Sequence, residues 1–599
     1  MKRKILILSL LVCSGLLNAQ QNRLIYKKSN LKSDGKVNSI LNKSKANKSV
    51  DFVNIDLGIL ANSDDINLQF GDNEYTIKRD KVKARDIKNF SFIGKNKNQD
   101  GSIVMSVLDD DIQGTITHEN KVYRIETIGK DDYAIVLVNH AELIEKCDNL
   151  TDFNAKHSQL KHTDSISKNI DESNTSNNNS SQLKSASLSS LTFGCKIRVL
   201  VLYTPAARTS VSNIRNTVLL AIDETNQSFV NSGVNYEVEL VYIAETNYTE
   251  VDIDTDKNRF RSNGDEYMDE VHTLRDKYSA DVCVLLNDDA KWCGVADAIG
   301  ASSGTAFCVV KAYSCATGYY SFGHEIGHLL GCRHDTHMDN ASTPFSYGHG
   351  FIAPNKTWRT IMAYGNGCSN CPRIQYWANP NVTYGGVSMG TTGTNNTTRV
   401  WNEQTPTVMA FKQPENSVLV SSSDVANSKY SDIVAKQDIS TNGNVNIPSG
   451  SALNLRAGNS VTLQAGFTAD VGSEFYAGIE NVTDCGSSAL KSAKVVIEDS
   501  YANTKDNNIA ESKNEFVLNI FPNPTNELLN IGFVISNNSD VSISLVNFLG
   551  HELRKVQNGK LMNVGNYNIQ TSVTDLPVGT YFIIFNVSGK VITKKLIIN

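Results

Sequence analysis

One short stretch of the chain, which reads SFGHEIGHLLGCRHD, has the residue types and spacing of a catalytic metal site. It contains His324, Glu325, His328, Gly331 and His334 in the pattern H-E-x-x-H-x-x-G-x-x-H. On an α-helix, positions four apart lie on one face, so the first two histidines can bind one ion. Glu325 can then reach a water on that ion. Gly331 tolerates the left-handed conformation that ends a helix, which allows His334 to become a third ligand. Three imidazoles and an open fourth position predict one catalytic Zn²⁺.

The alternative for this stretch is an amphipathic helix of the core with incidental histidines. Ile326, Leu329 and Leu330 have the spacing of an inward-facing apolar stripe. Packing explains these three residues, but it does not explain the register of the histidines, the glutamate and the glycine. The zinc interpretation is therefore preferred.

The length and charge of the chain limit the classes of protein to which it can belong. It has 599 residues, a net charge of -6 and a pI of about 6.0. This length predicts several domains, and the absence of a basic excess argues against nucleic acid as a partner. Beyond the N-terminus, the sequence holds no apolar run long enough to predict a transmembrane segment.

The N-terminal residues 1–19 predict a signal peptide. Three basic residues, Lys2 to Lys4, precede the apolar run Ile5 to Val12, and Ala19 precedes the expected cleavage. A membrane anchor would need about 20 apolar residues. Lipidation of Cys13 is disfavoured, because the residue before it is not small. We therefore expect export from the cytoplasm.

The cysteine content fits an exported protein. Eleven cysteines are present, and export favours disulfide bonds between them. The connectivity of eight cysteines cannot be read from sequence. Eight cluster around the zinc motif: Cys195, Cys283, Cys293, Cys308, Cys315, Cys332, Cys368 and Cys371.

The segment before the zinc motif predicts a precursor. Residues 20–150 alternate apolar and polar positions in short runs, which is typical of a β-rich domain. Residues 151–190 are rich in Ser and Asn and predict a disordered linker with an activation cleavage. Cys147 precedes this linker, and its thiolate could occupy the open position on the zinc and keep a pro-domain precursor latent. The alternative is an ordinary free cysteine.

The central segment alternates strand and helix patterns. Strand-like runs begin at Ile197, Tyr236 and Ala280, with helical spacing between them, which predicts a mixed sheet with packed helices. The run from Ala306 to Tyr313 is a short strand just before the zinc motif. We expect it to be an edge strand that pairs with an extended substrate.

A methionine downstream completes a family signature. The run Thr360-Ile-Met-Ala-Tyr364 follows the long zinc motif, and together they resemble the metzincin metallopeptidases. Asp335, directly after the third histidine, resembles the reprolysin/adamalysin (ADAM-like) branch. The resemblance covers about Cys195 to Lys412, within a domain that we place at residues 191–414.

This resemblance implies roles for individual residues. His324, His328 and His334 match the zinc ligands, and Glu325 matches the general base that activates the zinc-bound water. Met362 matches the methionine of the turn beneath the metal. Tyr364 departs from the adamalysin pattern and resembles a tyrosine that stabilises the oxyanion in other metzincins. Packing within the turn is the alternative for Tyr364.

Two further modules follow the zinc domain. Residues 428–482 repeat short apolar runs every eight to twelve residues and resemble the coathanger-stack modules of secreted Bacteroidota proteins, as a spacer or as a binding module. Residues 486–513 form a second polar linker. Residues 514–599 predict a β-sandwich that resembles the C-terminal sorting domain of the type IX secretion system. This resemblance implies the secretion machinery as a partner, with transport through the periplasm and across the outer membrane.

The sequence thus predicts a multidomain protein with an α/β (α+β) metzincin domain flanked by β-rich modules. The expected function is that of a secreted zinc endopeptidase, made as a latent precursor, that hydrolyses proteins or peptides. The alternative is a catalytically idle surface-binding or adhesion protein that uses its β modules. The resemblance allows for Ca²⁺, but Asp and Asn residues are scattered without a calcium-loop motif.

Overall fold

The structure is a computed structural model. The signal peptide at 1–19, the linkers at 151–190 and 486–513, and Cys147 lie outside the described residues. The structure describes residues 23–28, 34–84, 89–96, 101–143, 195–289, 291–480, 482–485, 518–521, 523, 525–535, 538–547, 552–587 and 590–598.

Nine strands near the N-terminus close into a barrel in the order β1-β2-β9-β8-β7-β6-β5-β4-β3. Alternating apolar positions fill its interior, and tight turns such as that at Asp109, where φ is 53°, connect its hairpins. We call residues 23–143 the barrel. Its elements are β1 Arg23–Lys27, α1 Asp34–Leu41, β2 Asn47–Ile55, α2 Ile59–Asn62, β3 Asp65–Phe70, β4 Asn73–Ala84, β5 Phe90–Lys95, β6 Gly101–Leu108, β7 Asp111–His118, β8 Lys121–Gly129 and β9 Asp132–Val138.

The central domain, residues 195–411, is a mixed sheet with helices packed on it, as the alternating pattern predicts. Its strands run in the order β13-β14-β12-β10-β11, and only β13 is antiparallel to its neighbour. Its elements are β10 Ile197–Tyr203, α3 Pro205–Ser210, α4 Ile214–Ser232, β11 Val238–Glu245, α5 Ile253–Arg261, α6 Glu270–Lys277, β12 Val282–Asn287, β13 Gly294–Ala296, β14 Phe307–Lys311, α7 Ser321–Leu330, β15 Asn379–Tyr384, β16 Val387–Met389 and α8 Thr397–Val408.

The expectation of an edge strand at Ala306–Tyr313 is wrong. β14 pairs with β12 on one side and with β13 on the other, so its backbone groups are used on both sides. The edge is β13, which holds three residues and lies antiparallel to β14. A strand so short gives little periodicity, and the pairing that places it at the edge is visible only in three dimensions.

The third region, which we call the stack, continues the central sheet. β18 pairs antiparallel with β11, and β20 and β23 follow in parallel. Tyr430 lies opposite Ala452, which lies opposite Glu474, so one coil takes 22 residues. The runs of eight to twelve residues in the sequence are thus parts of one coil. Its elements are β17 Glu415–Val420, α9 Ser422–Ala426, β18 Ser428–Thr441, β19 Asn446–Ile447, β20 Ala452–Ala457, β21 Ser460–Thr462, β22 Thr468–Ala469 and β23 Glu474–Ile479.

The C-terminal region forms two sheets, β24-β25-β28 and β27-β26-β29-β30, around an apolar core. Within the described part of the chain, no helix is long and apolar enough to cross a membrane. The strands of the C-terminal region are β24 Leu518–Phe521, β25 Leu528–Ile535, β26 Ser539–Asn547, β27 Glu552–Met562, β28 Gly565–Ser572, β29 Gly579–Val587 and β30 Lys590–Ile598.

The described cysteines form three disulfides, and one of them joins a cysteine of the cluster around the zinc motif to a cysteine outside that cluster. Cys195, at the start of the central domain, bonds Cys485, 290 residues away and beyond the last strand of the stack. The other two bonds are local, Cys293–Cys315 and Cys368–Cys371. Three cysteines of the cluster stay free and buried among the described residues: Cys283, Cys308 and Cys332.

Candidate active site

Helix α7 and the turn after it bring three histidine rings to one point. The Nε2 atom of His328 lies 3.1 Å from that of His324 and 2.9 Å from that of His334. Three nitrogens bound to one tetrahedral zinc ion, each at about 2.0–2.1 Å, would lie ~3.3 Å apart. The spacing of the three Nε2 atoms therefore fits a single zinc ion.

Hydrogen bonds fix the tautomer of two of these rings. His324 Nδ1 lies 2.9 Å from the carbonyl oxygen of Ile361, and His328 Nδ1 lies 2.8 Å from that of Cys332. A carbonyl oxygen only accepts hydrogen bonds, so Nδ1 must carry the proton. Each Nε2 is then left with its lone pair directed at the shared point, which is the form that binds a metal.

Burial keeps the ligand set neutral. It lowers the pKa of His328 to about 4 and holds the pKa values of His324 and His334 well below the usual range. The positive charge of Arg373 acts in the same direction on all three rings. Neutral imidazole is the metal-binding form, so the site is set to take up a cation near neutral pH.

The backbone turn at the end of α7 places His334 beside the other two ligands. Gly331 has φ of 110°, and its N–H bonds back to the carbonyl oxygens of Gly327 and His328. A Cβ on Gly331 would lie 2.7 Å from the Phe345 ring. Glycine is thus required both for the left-handed conformation and for the space, as the motif predicts.

The Glu325 side chain extends from α7 toward Gly294 of the edge strand β13. Glu325 is 3% exposed, and a Cβ on Gly294 would lie only 2.4 Å from Oε1 of Glu325. Gly294 begins β13, the strand that borders the site. The missing side chain of Gly294 therefore makes room for the carboxylate beside the edge at which an extended peptide could pair.

Met362 lies beneath the histidine helix in a tightly packed layer. It is fully buried, and a Cβ on Gly327 would lie 3.1 Å from the Met362 sulfur and 2.9 Å from the ring of Trp377. Gly327 thus lets the methionine and the tryptophan approach the backbone of α7 between the two ligands of the helix. This contact explains the glycine at the third position after His324.

Asp335 ties the third-ligand turn to the methionine turn. Its Oδ2 accepts the backbone N–H of Tyr364 at 2.8 Å, and its Oδ1 accepts that of His337 at 3.1 Å. The Tyr364 ring stacks on His334, with ring centroids 4.1 Å apart. The structure therefore places Tyr364 directly against a ligand, close enough either to act on a bound substrate or to brace the imidazole.

Two buried arginines support the methionine turn from behind. Arg359 Nε and Arg373 Nη2 both donate to the carbonyl oxygen of Ala363, at 3.2 and 3.4 Å. Arg373 Nη1 also donates to the carbonyl oxygen of Tyr319, at 3.0 Å. These bonds link the methionine turn to the loop that leads into α7.

The last described residues of the barrel contact Tyr319 and Arg373 as well. The Tyr319 hydroxyl lies 3.3 Å from the carbonyl oxygen of Leu143, and His140 Nδ1 accepts the backbone N–H of Arg373 at 3.3 Å. Leu143 also packs against the Cys293–Cys315 disulfide, next to Gly294. Cys147 follows Leu143 by four residues but lies outside the described residues.

The structure thus brings together His324, Glu325, His328, His334, Met362 and Tyr364, all of which the motifs predict. The motifs do not predict the other residues around the site, which are Gly294, Tyr319, Arg359 and Arg373. Each belongs to the site through a contact with a segment distant in sequence. Only Gly294 left a signal, since it follows Cys293 of the cysteine cluster.

Two family descriptions match this chain. Residues 195–378 match Metallo-peptidase family M12, and residues 519–599 match a secretion system C-terminal sorting domain. The first range contains the histidines, Glu325 and the methionine turn. The second covers the C-terminal sandwich, and it shows that the protein is exported for secretion or attachment at the cell surface.

The similar curated proteins are all bacterial enzymes named peptidyl-Asp metalloendopeptidase. That of Stenotrophomonas maltophilia K279a is 39% identical over 316 residues, which are 52% of this chain and 70% of the relative. That of Xanthomonas campestris pv. campestris is 39% identical over 51% of this chain and 68% of its own length. That of Pseudomonas fragi is 42% identical over 27% of this chain and 85% of its own length.

This degree of identity over more than two thirds of the relatives shows the family, and the family implies zinc as the metal held by the histidines. The chain therefore belongs to metallo-peptidase family M12, as a reprolysin-like metalloendopeptidase with a C-terminal secretion sorting domain.

Proposed function

We propose that the protein is a secreted zinc endopeptidase that cleaves protein substrates next to aspartate and is made as a latent precursor. The convergence of three imidazole Nε2 atoms beside the buried Glu325 carboxylate is the observation that carries this function. The aspartate preference rests on the names of the relatives, which cover 52% and 51% of this chain.

His324, His328 and His334 would hold the ion. When bound, zinc would supply Lewis acidity toward the scissile carbonyl and would lower the pKa of a coordinated water. Glu325 would take the proton from the attacking water and pass it to the departing amine. Its position against Gly294 supports this role, because the carboxylate then lies beside the β13 edge where a substrate backbone could pair.

Tyr364 is proposed as a second catalytic group. Its ring stacks on the face of His334, with the two ring planes at an angle of 30°. From there the hydroxyl could donate to the oxyanion as it forms. The competing role is purely structural, in which the ring only holds His334 in place.

The two roles of Tyr364 predict different results for Tyr364→Phe, which keeps the ring and removes the hydroxyl. An oxyanion role predicts that kcat falls at least about tenfold with zinc content unchanged. If kcat stays at the wild-type value, the tyrosine is structural.

Latency is proposed from the way the barrel meets the site. Leu143 packs against Cys293, and its carbonyl oxygen accepts a hydrogen bond from the Tyr319 hydroxyl. The last described residue of the barrel therefore lies next to the edge strand of the site. Four more residues of chain reach at most about 14 Å, which makes Cys147 a candidate thiol ligand for the zinc. Cleavage of the linker would then release the barrel and the thiol together.

The Cys147 role can be tested separately from the barrel. We expect Cys147→Ser precursor to cleave casein without linker cleavage, since a hydroxyl is a far weaker zinc ligand than a thiolate. A matched Cys283→Ser precursor, changed at a free buried cysteine of β12, should stay latent. Equal latency of Cys147→Ser and wild-type precursors would remove the thiol from the mechanism and leave the barrel as the inhibitor.

The rival function, an idle adhesion protein, is weakened by the intact site. A binding protein has no use for a carboxylate beside three converging imidazoles, and burying such a group without a function is costly. The rival predicts no proteolysis under any condition.

The deciding experiment measures casein cleavage by the linker-cleaved protein with and without a chelator. We expect cleavage that the chelator abolishes and added Zn²⁺ restores. Glu325→Ala should retain about one zinc per chain by metal analysis and lose at least 1,000-fold in kcat, as an order-of-magnitude estimate for loss of the general base. Glu403→Ala, at an exposed glutamate of α8, serves as the control and should stay active. Cleavage that persists in the chelator, or in Glu325→Ala, would contradict the proposal.

A further inference from the structure

The edge strand β13 has few ladder bonds of its own. It has three residues and pairs with β14 on one side, where Gly294 lies opposite Val310 and Ala296 opposite Cys308. Its other side pairs with no strand among the described residues. A strand of three residues is at the short limit of the usual range, so these pairs alone fix its direction only weakly.

A disulfide lies at the residue before this strand. Cys293 directly precedes Gly294 and bonds Cys315, in the loop between β14 and α7. Both cysteines are buried, at 2% and 1% exposure. The Cys293 carbonyl oxygen also accepts the N–H of Lys311, the last residue of β14, at 2.9 Å. This end of the disulfide is therefore fixed to the sheet.

The other end of the disulfide is fixed to the zinc helix. The Cys315 carbonyl oxygen accepts the N–H of Ser321, the first residue of α7, at 3.0 Å. The first N–H groups of a helix have no partner within the helix, so this bond ties the start of α7 to Cys315. His324 follows in the first turn. The Cys293–Cys315 bond thus connects the edge strand to the helix that carries two of the metal ligands.

The space between the strand and the helix leaves little room for movement. A Cβ on Gly294 would lie 2.8 Å from both Cγ and Cδ of Glu325, which is shorter than a van der Waals contact. The strand thus lies as close to Glu325 as a glycine backbone allows. When a reaction depends on a positioned substrate, a displacement of about 1 Å can cost about 100-fold in rate.

We infer that the Cys293–Cys315 disulfide is a positioning element of the peptidase. It holds β13 at a fixed distance from α7, so that a peptide paired with the strand brings its scissile bond to the histidines. The inference rests on the proposed function and adds the two residues that would set the place of its substrate. Both cysteines act through the backbone of β13 and need no contact with the substrate.

The competing role for this disulfide is stabilisation of the fold alone. A disulfide that only restricts the unfolded chain leaves the kinetic constants of the folded enzyme unchanged. The Cys195–Cys485 disulfide provides a matched comparison, because it closes a longer loop, of 290 rather than 22 residues. It joins the start of the central domain to the chain after the stack, so its loss should affect stability without moving β13.

The test uses the full chain after linker cleavage and two peptides with the same residues at the scissile bond. The long peptide can pair with all three residues of β13, and the short peptide has blocked ends and one residue on each side of the scissile bond. We expect Cys293→Ala/Cys315→Ala to lower kcat/KM at least about tenfold for the long peptide and less than about threefold for the short one. Its zinc content should stay at the wild-type value.

The control is Cys195→Ala/Cys485→Ala, measured at a temperature at which circular dichroism shows all the proteins folded. It should keep the wild-type ratio of kcat/KM between the long and the short peptide. A wild-type ratio in Cys293→Ala/Cys315→Ala overturns the inference and leaves the peptidase function intact.

A binding measurement keeps the test independent of turnover. In the Glu325→Ala background, loss of the Cys293–Cys315 disulfide should weaken binding of the long peptide at least about tenfold. If wild-type protein cleaves neither peptide, the proposed function fails, and this affinity still decides the positioning role. Equal affinities with and without the disulfide, or no binding by either protein, overturn the inference.

Serine variants provide a second route if the alanine variant does not fold. Cys293→Ser/Cys315→Ser removes the bond and keeps side chains of similar size at both positions. We expect the same loss of at least about tenfold in the ratio of the long to the short peptide. A wild-type ratio in the serine variant also overturns the inference.

Discussion

The barrel and the stack both pack against the central domain, but by different kinds of bond. The barrel is held mainly by side chains: Asn216 of α4 donates to Asp111 Oδ2 at 2.7 Å, and Thr217 to Gln113 at 2.8 Å. Its apolar contact with α4 includes a small cluster around Leu220. The stack instead extends the backbone ladder of the central sheet through β11 and β18.

The stack is further fixed by charge and by a covalent bond. Arg198 of the central domain pairs with Glu239 at 2.9 Å, and Asp432 of β18 lies between Arg198 and Arg456. The Cys195–Cys485 disulfide closes the same unit. A contact made of side chains can be broken without unfolding either partner, whereas a shared sheet cannot. The difference is consistent with a barrel that leaves on activation and a stack that stays.

Of the changes that test this difference between the barrel and the stack, removal of the Cys195–Cys485 disulfide should cause the largest loss of stability. It closes a loop of 290 residues, and the double variant Cys195→Ser/Cys485→Ser should lose roughly 4 kcal/mol of unfolding free energy in urea. Barrel affinity should change little. A stability within about 1 kcal/mol of the wild type would show that the sheet alone holds the stack.

Removing the buried carboxylate of Asp432 should come next. Asp432→Ala leaves two arginines in the buried cluster without that partner and should cost roughly 3 kcal/mol. Asp438→Ala in the same strand is the control, because Asp438 is partly exposed and its carboxylate accepts hydrogen bonds from the side chains of Asn459 and Ser460 rather than from a buried arginine. Urea unfolding measures both, and equal stabilities would contradict a structural role for the cluster.

A change on the barrel side should weaken docking without unfolding the central domain. Asn216→Ala removes a side-chain amide nitrogen that lies within hydrogen-bond distance of three barrel oxygens, the carbonyl oxygens of Ser106 and Asp111 and the Asp111 carboxylate. We expect the barrel, after linker cleavage, to bind about 2 kcal/mol more weakly, or roughly 30-fold.

Titration calorimetry measures this affinity, and Asn402→Ala, whose side chain bonds Gly233 within the central domain, is the control. If Asn216→Ala lowered the stability of the barrel-free protein by the same amount, the asparagine would be a folding residue rather than a docking residue.

Raising the pH should weaken the binding of the barrel to the central domain by a smaller amount. Burial beneath Thr115 and the Gly318 loop raises the pKa of Glu224 to about 8. The docked state therefore binds a proton that a solvated carboxylate, with an ordinary pKa near 4.5, has already lost. Docking is favoured at acid pH and weakens as pH rises toward 8, by less than the ~1.4 kcal/mol per pH unit of one whole proton. Glu224→Gln should flatten this dependence, and an equally steep dependence in that variant would assign it to other groups such as Asp111.

The ligand set was predictable because its spacing is local. His324, Glu325 and His328 share two turns of one helix, and Gly331 marks where that helix must end. The register of such a motif fixes its geometry before any tertiary contact forms.

The rest of the site could not be predicted, because it depends on pairings between distant segments. The edge role of β13 comes from its pairing with β14, and Arg373 becomes part of the site only where Tyr319 and Ala363 meet it. The bond of Cys195 to Cys485 is likewise set by the course of the stack. Residue type favours none of these partners over others in the chain.

The 22-residue coil is also the unit by which the stack could grow. Parallel strands lie about 4.8 Å apart, so each inserted coil would move the last strand of the stack outward by that step. The chain after that strand returns to the start of the central domain, where Cys485 bonds Cys195. The returning segment would therefore have to lengthen with every added coil, and the disulfide keeps the exit of the stack beside the catalytic domain.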